Sequence, residues 1–454
     1  MGMSEQTLAA IILAAGQGTR MQSDLHKVLH PVAGLPMLHH LLESLTAAGA
    51  ARQVVVVGAR REQVEASVAP RGVEIAHQAE QLGTAHAALQ AKAALADFDG
   101  IAIICFGDTP FLKPETISKL KQRLLAGDAP RVAVLGFVPE DAKAYGRIIA
   151  DDSGNIAKMV EFKDASAEER AVRLCNSGVT AVRTSDLWPL LERVGNDNAA
   201  GEYYLPDIVM LALADGDRAV VVETDPDELI GINSRAELAE AESIWQARRR
   251  AQAMAEGATL IAPDTVWFAH DTVIGRDVVI EPNVVFGPGV TIAASAVIHA
   301  FSHIEGATIA SGCSVGPFAR LRPGAEMQTG SKVGNFVEVK NAVLGAGAKA
   351  SHLTYLGDAI VGANANIGAG TITCNYDGYF KYQTVIGENA FIGSNSALIA
   401  PVNIGRDAIV AAGSAVSRDV ADGELRLVRA EQATKPGWAD RFHHTMSNKT
   451  SNSD

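Results

Sequence analysis

Aromatic residues make up only 5 % of this chain, cysteine occurs four times in 454 residues, and no apolar stretch is long enough to cross a bilayer. Each shortage excludes something. Cys105, Cys175, Cys313 and Cys374 lie too far apart for any C-x-x-C pair, so neither a zinc site nor a disulfide framework is indicated. Cys105, inside the apolar run 101–106, reads as a core residue. The first apolar stretch, 8–15, has Glu5 ahead of it, lacks a basic flank and runs into a glycine loop, which makes it a poor signal peptide. A soluble, cytoplasmic protein is expected. Positive charge is scarce too: 39 Lys and Arg against 52 Asp and Glu give a net charge of −13, and the deficit holds on both sides of residue 254. General nucleic-acid binding needs the opposite balance, so neither nucleic acid nor membrane is an expected partner.

Glycine, by contrast, is abundant and uneven: 19 of the 42 precede residue 255 and 23 fall in the 200 residues that follow. At about 150 residues per domain the length allows two or three domains, and the chain changes character near residue 250. Before residue 232, short apolar runs (9–13, 53–57, 101–105, 132–135) alternate with helix-like stretches (37–48, 85–96, 114–125), the pattern of βαβ units around a mostly parallel sheet. Residues 234–250 are rich in helix formers and charge, and read as a connecting helix or as a surface helix of the first domain.

From about residue 264 aliphatic residues recur six apart, as in Ile274, Ile280, Phe286, Ile292, Ile298 and Ile304, with occasional five-residue steps. The frame pauses over 373–383 and resumes at Ile386, and small residues such as Gly275, Gly345 and Gly387 follow the aliphatic one. A period of six fits neither an α-helix nor a continued strand; it is the signature of a hexapeptide parallel β-helix, with the aliphatic pointing inward and the small residue allowing a corner.

In the first half, Leu13-Ala-Ala-Gly-Gln-Gly-Thr-Arg-Met21 follows the first strand. Met21 stands where a dinucleotide fingerprint has its third glycine, and no G-x-x-x-x-G-K occurs, which disfavours Rossmann oxidoreductases and P-loop NTPases. What remains is either a structural turn or a loop whose N–H groups face phosphates, with Arg20 and Lys27 supplying charge. Phe106-Gly-Asp-Thr-Pro110 sets a carboxylate just after an apolar strand, where it could serve as a turn or cap residue or as a hard oxygen ligand for Mg²⁺.

Taken together, L-A-A-G-x-G-T-R-M, the downstream lysine, Q-L-G-T, G-D-x-P, Y-G-R-I, V-E-x-K-D-A and G-E-Y-Y resemble the sugar-1-phosphate nucleotidyltransferases. With the hexapeptide half attached, residues 8–438 resemble the bacterial bifunctional N-acetylglucosamine-1-phosphate uridylyltransferase/glucosamine-1-phosphate N-acetyltransferases. That resemblance implies an α/β fold, a Rossmann-like nucleotidyltransferase domain over 1–232, a linker helix over 233–255, and a left-handed β-helix acetyltransferase domain over 256–438. It implies UTP, acetyl-CoA and Mg²⁺ as co-substrates and cofactor, a homotrimer, and a product that feeds peptidoglycan and lipopolysaccharide precursors. Leu13, Ala14, Ala15, Gly16, Gln78, Gly83 and Thr84 would hold the uridine, and Arg20 and Lys27 the phosphates. Phe106, Gly107 and Asp108 would join the UTP and UDP-N-acetylglucosamine site, Asp108 and Asn233 would bind Mg²⁺, and Gly146, Glu161 and Asn176 would hold the amino sugar. Two departures stand out: His26 precedes the lysine where proline is usual, and Pro206 stands where threonine is commoner. Altered loop stiffness is their expected consequence.

In the second half, Arg320, Arg322, Lys332, Lys340 and Lys349 concentrate five of the 14 basic residues after 254, and His352 and Tyr355 follow at once. This is either a solvated basic face or a sugar-phosphate site with an imidazole base beside it. By resemblance His352 is the general base on the amine, with Glu338 a candidate to orient it. Arg322, Lys340, Tyr355, Asn366, Asn375 and Tyr376 would place the sugar phosphate, and Ala369, Ser394, Ala412 and Arg429 would contact acetyl-CoA. The Ser/Asn/Lys-rich tail, 439–454, is expected to be disordered. The alternatives are a single-activity nucleotidyltransferase with a structural or regulatory β-helix, and a non-catalytic interaction protein that keeps both folds.

Overall fold

The computed structural model describes residues 7–142 and 145–450. The chain divides into two compact units at Arg248/Arg249, inside the helix Arg235–Ala255.

The first unit is built on nine sheet strands: β1 (Leu8–Ala14), β2 (Ala50–Val57), β3 (Glu74–His77), β4 (Ile101–Phe106), β5 (Val132–Phe137), β6 (Arg147–Ala150), β7 (Ile156–Val160), β8 (Cys175–Arg183) and β9 (Ala219–Glu223). Their order is β9-β5-β8-β4-β1-β2-β3, with β6 pairing β8 and β7. Every residue of β1 is buried. Leu8, Ala10, Ile12 and Ala14 join one core layer with Leu38, Leu41, Ile117 and Leu120, while Ala9, Ile11 and Leu13 join the other with Ala85, Leu187, Leu190 and Ile208. Burial on both faces is what turns a half-polar strand pattern into an unbroken apolar run. The expectation of a mostly parallel sheet needs one correction, because β8 runs antiparallel to both β4 and β5, and β6 and β7 form a hairpin. The helix expected over 85–96 is also shorter, Thr84–Leu89 followed by a 3₁₀ turn at Gln90–Lys92.

The second unit is a parallel β-helix with three faces, the left-handed form expected of hexapeptide repeats. Val279 pairs with Val297 and Val285 with His303, in each case eighteen residues on, and Thr291 with Thr308. Apart from Ile274, each period-six aliphatic position is at most 3 % exposed. Most of the glycines that follow these aliphatics do something other than turn corners. A Cβ on Gly387 would lie 2.5 Å from the Arg406 backbone nitrogen, and one on Gly345 would lie 2.6 Å from that of Ala363. They let successive coils approach. Many of the left-handed corner conformations fall instead on Asp277, Asn283, Asn364, Asn389, Asn395 and Asp407, where a short polar side chain tolerates positive φ. Phe301, Phe318 and Phe336 also occupy such corners, and their exposed rings stack with centroids 4.9 and 5.1 Å apart.

The disorder expected from residue 439 onward is overturned as far as residue 450: Trp438–Thr450 is an α-helix. Trp438 and Phe442, one turn apart, stack at 5.2 Å, a helical pairing that the polar composition concealed. Residues 451–454 lie outside the described part. No helix among the described residues is long and apolar enough to cross a membrane.

Candidate active sites

In the first unit the carboxyl ends of β1 and β4 lie side by side, with Leu13 and Phe106 in register. A cavity of about 320 Å³ opens there, lined by Leu13, Ala14, Ala15, Gly16, Lys27, Gln78, Gly83, Thr84, Phe106 and Asp108 among others. An open sheet presents its ligand crevice at strand carboxyl ends, so ten of the residues picked from sequence come together where the topology predicts. Gly18, in the left-handed region at φ 62, lets the chain pass Lys27, whose Cβ would be 2.6 Å from a Cβ at position 18. Lys27 Nζ makes a short ion pair with Asp108 Oδ2 and lies 3.0 Å from Asn233 Oδ1. Two hard oxygens thus converge on one cationic point. Arg20, exposed on the turn Thr19–Met21, forms no ion pair among the described residues and is free to meet a phosphate. Gly107 continues β4, its N–H donating to the Leu13 carbonyl at 3.0 Å.

Gln78 is 3 % exposed, and its side-chain amide donates to the Gly83 carbonyl and lies 3.1 Å from His86 Nδ1. With the NH₂ group committed behind, Oε1 is the end left to accept a hydrogen bond. Gly146, Glu161 and Asn176 form a separate cluster away from the cavity wall. Asn176 N–H donates to the Gly146 carbonyl at 2.9 Å, and a Cβ on Gly146 would sit 3.3 Å from Glu161 Oε1. Burial, followed by the charges of Asp207 and Asp164, raises the Glu161 carboxyl above its usual range. Sequence reasoning quoted Gln81 inside Q-L-G-T and Glu202 inside G-E-Y-Y without giving either a role; the Gln81 amide anchors the Ala15 carbonyl, and both residues line the cavity. It missed His86, behind Gln78 and two residues beyond Q-L-G-T.

In the second unit His352 is the ladder partner of Asn335, and its Nδ1 lies 2.6 Å from Asn335 Oδ1. With that oxygen accepting, Nδ1 holds the proton and Nε2 keeps a lone pair, the tautomer a general base needs. The expected orienting role of Glu338 is not borne out, because its carboxylate is engaged by Arg322 at 2.8 Å. Arg322, Lys340 and Lys381 gather around one spot: the neighbouring Lys381 and then Arg322 lower the Lys340 pKa. Glu338, paired with Arg322, and Asp358, which raises the Lys340 pKa, offset part of that positive charge. Lys381, unrecognised from sequence, sits in the interruption 373–383, where Tyr376 bridges to it. Asn375 donates to Asp358, and a Cβ on Gly357 would meet both the Tyr355 hydroxyl and Asn375, so Tyr355 and Asn375 flank one small gap. Asn366 pairs with Lys349. Ala369, Ser394, Ala412 and Arg429 fall in one row along successive coils. The Asn395 N–H meets the Ala369 carbonyl, the Gly413 N–H meets that of Ser394, and Arg429 Cδ lies 3.7 Å from a Cβ on Gly413. His352 stands one coil before Ala369 in the same row.

A glycine-loop cavity with hard oxygens beside a lysine, and a hexapeptide coil bearing a histidine and neighbouring cations, suit a two-site transferase. Family models agree: residues 10–151 match the MobA-like NTP transferase domain, 271–306 the bacterial transferase hexapeptide (six repeats) and 383–418 the hexapeptide repeat of succinyl-transferase. Relatives named bifunctional protein GlmU extend over nearly the whole chain. The protein from Novosphingobium aromaticivorans is 67 % identical over 446 residues, 98 % of each chain. That from Rhizorhabdus wittichii is 65 % identical over 98 % of this chain and 99 % of its own, and that from Zymomonas mobilis 55 % over 98 % and 100 %. The chain belongs to the bifunctional GlmU family.

Proposed function

We propose that the two sites of this bifunctional UDP-N-acetylglucosamine-forming enzyme act in sequence on one sugar phosphate. The β-helix unit moves an acetyl group from acetyl-CoA to the amine of glucosamine 1-phosphate. The first unit then moves a uridylyl group from UTP to the resulting N-acetylglucosamine 1-phosphate, with release of pyrophosphate. The product is a precursor for peptidoglycan and lipopolysaccharide, which suits a cytoplasmic enzyme. The observation that carries this reading is the 67 % identity over 98 % of both chains.

In the acetyltransferase step, Nε2 of His352 takes the proton of the sugar amine as it attacks the thioester, while Asn335 holds the ring. Arg322, Lys340 and Lys381 bind the sugar phosphate, Tyr355, Asn366, Asn375 and Tyr376 border it, and the row Ala369–Ser394–Ala412–Arg429 receives acetyl-CoA. A homotrimer, with acetyl-CoA bound between copies, fits the hexapeptide repeats. In the uridylyl step, the glycine loop and Gln78 hold UTP, with Thr84 at the same wall, and Gly146, Glu161 and Asn176 hold the amino sugar. The sugar phosphate oxygen attacks the α-phosphorus in line, and Lys27 and Arg20 offset charge on the phosphates. Asp108 and Asn233 fit Mg²⁺, because their two hard oxygens already converge on a cation, and phosphate and water oxygens can complete such a shell. Bound there, Mg²⁺ supplies further neutralisation of the polyphosphate charge.

Both half-reactions of the full chain test this. Asp108→Ala should lower uridylyl transfer at least about 100-fold and spare acetyl transfer, and His352→Ala should do the reverse. Acetyl transfer undiminished in His352→Ala, or uridylyl transfer undiminished in Asp108→Ala, would refute the assignment in that half.

A further inference from the structure

One side-chain trio in the β-helix unit belongs to neither site. Val279, Val297 and Ser314 are ladder partners on consecutive coils, and Glu281 and His299 each follow the inward aliphatic of their coil. His299 Nδ1 lies 2.9 Å from Glu281 Oε1, and its Nε2 lies 3.2 Å from Ser314 Oγ. Glu281 Oε2 also accepts the Ala300 backbone N–H at 2.9 Å. That bond, followed by the one to His299, holds the Glu281 carboxyl below its usual range, so it is an ionised acceptor with no proton to give. The tautomer follows from this chemistry. Nδ1 carries the ring proton toward Glu281, Nε2 presents its lone pair, and the Ser314 hydroxyl is the donor.

We propose that Ser314 is a nucleophile, activated by His299 and oriented through Glu281, that takes an acyl group from small activated esters or thioesters. A hydroxyl bonded to a base, with the base held by a carboxylate, is recognised by geometry and not by fold or chain order. Ser314 Oγ attacks the carbonyl carbon while its proton passes to His299 Nε2. The bond to the leaving oxygen or sulfur breaks, the alcohol or thiol departs with that proton, and acyl-Ser314 remains. Water then attacks the acyl carbon, its proton passing through His299 to Oγ, and the carboxylic acid is released. Glu281 balances the imidazolium formed in each step. The histidine and glutamate side chains are each 31 % exposed, open enough for a small ester to reach them. Lys332, the ladder partner of Ser314 on the next coil, adds a cation near the charge that develops on the carbonyl oxygen. The backbone N–H groups of Ser314 and Gly316 are committed to inter-coil bonds with Ser331 and Val333. Without such donors for the oxyanion, acylation is slow and is best read as labelling of the serine.

The test incubates the full chain with p-nitrophenyl acetate, follows nitrophenolate release, and locates the acetyl group by tandem mass spectrometry. Ser314 should be acetylated at least tenfold faster in the folded chain than after unfolding in urea. Ser314→Ala should remove the adduct while both transferase activities persist, and His299→Asn and Glu281→Gln should each slow it at least tenfold. Acetylation of Ser314 no faster than in the unfolded chain, or unchanged in His299→Asn, would reduce the trio to a structural brace. Should His299→Asn fail to fold, the comparison of wild type with Ser314→Ala still decides.

Discussion

His26 occupies a position whose usual proline could not make the contact seen here: its backbone N–H donates to Gln63 Oε1 at 2.7 Å. Its φ of −58° would suit proline equally, so the exchange preserves the path of the loop and adds a tie to the helix Arg61–Val68. Pro206 is equally at ease, at φ −56° just before the helix Asp207–Ala214, where an absent N–H leaves nothing unpaired. The cost of His26 is electrostatic. Its ring is 1 % exposed, neither nitrogen has a partner among the described residues, and burial, reinforced by Lys27, Arg60 and His30, lowers its pKa to about 4. Between pH 6.5 and 4 the unfolded chain therefore binds a proton that the folded chain refuses, so stability rises with pH across that window and is lost as pH falls through it. His30 and His39, lowered mainly by burial, act in the same direction. The first unit should be about 2 kcal/mol less stable at pH 5 than at pH 7.5 on account of His26, and His26→Gln should flatten that slope in urea titrations. Motif reading named ten residues that the fold gathers around one cavity, because glycines, hard oxygens and cations are the types a phosphate ligand calls for. It failed on the partner of His352, because the choice between Glu338 and Asn335 is made by coil register, and no motif encodes which neighbour Arg322 has already claimed.

Single elements show the same division. The period of six placed the inward positions of the β-helix without help from structure, since only a three-faced coil returns an aliphatic to the interior every sixth residue. The glycines were legible as necessary but not as to cause, because coil-to-coil distance is invisible along the chain. Gly387→Ala would force a Cβ to 2.5 Å from the Arg406 nitrogen, backbone that cannot yield cheaply. It should destabilise the β-helix by about 2 kcal/mol, whereas Gly195→Ala, with open space around it, should change stability by less than about 0.5 kcal/mol. Melting curves of the two variants provide the comparison. In the sheet of the first unit, β8 mixes Asn176, Ser177, Gly178 and Thr180 with Val179, Ala181 and Val182, and no such pattern reveals which way a strand points. Its antiparallel course had to come from the structure.

At the scale of the whole molecule, the sequence switches from alternating strands and helices to a six-residue period, and the chain divides into two compact units at Arg248/Arg249. Each unit has its own apolar interior, and on the proposed reading Mg²⁺ belongs to the first, held by Asp108 and Asn233. Chelation of divalent cations should therefore abolish uridylyl transfer and leave acetyl transfer in the same sample intact, with Mg²⁺ restoring the lost activity. Uridylyl transfer that survives chelation would remove Asp108 and Asn233 from the metal role.

On the proposed reading, the row that begins at His352 also acts as a ruler. Lys349, Asn366, Phe391, Ile409 and Leu425 mark the five successive coils that carry His352, Ala369, Ser394, Ala412 and Arg429. Neighbouring strands stand about 4.8 Å apart, so the histidine and the last arginine are separated by about 19 Å along the axis. A donor that touches both ends must be a long, thin molecule with its reactive group at one tip and negative charge at the other. Evolution can lengthen or shorten that gauge only by whole coils.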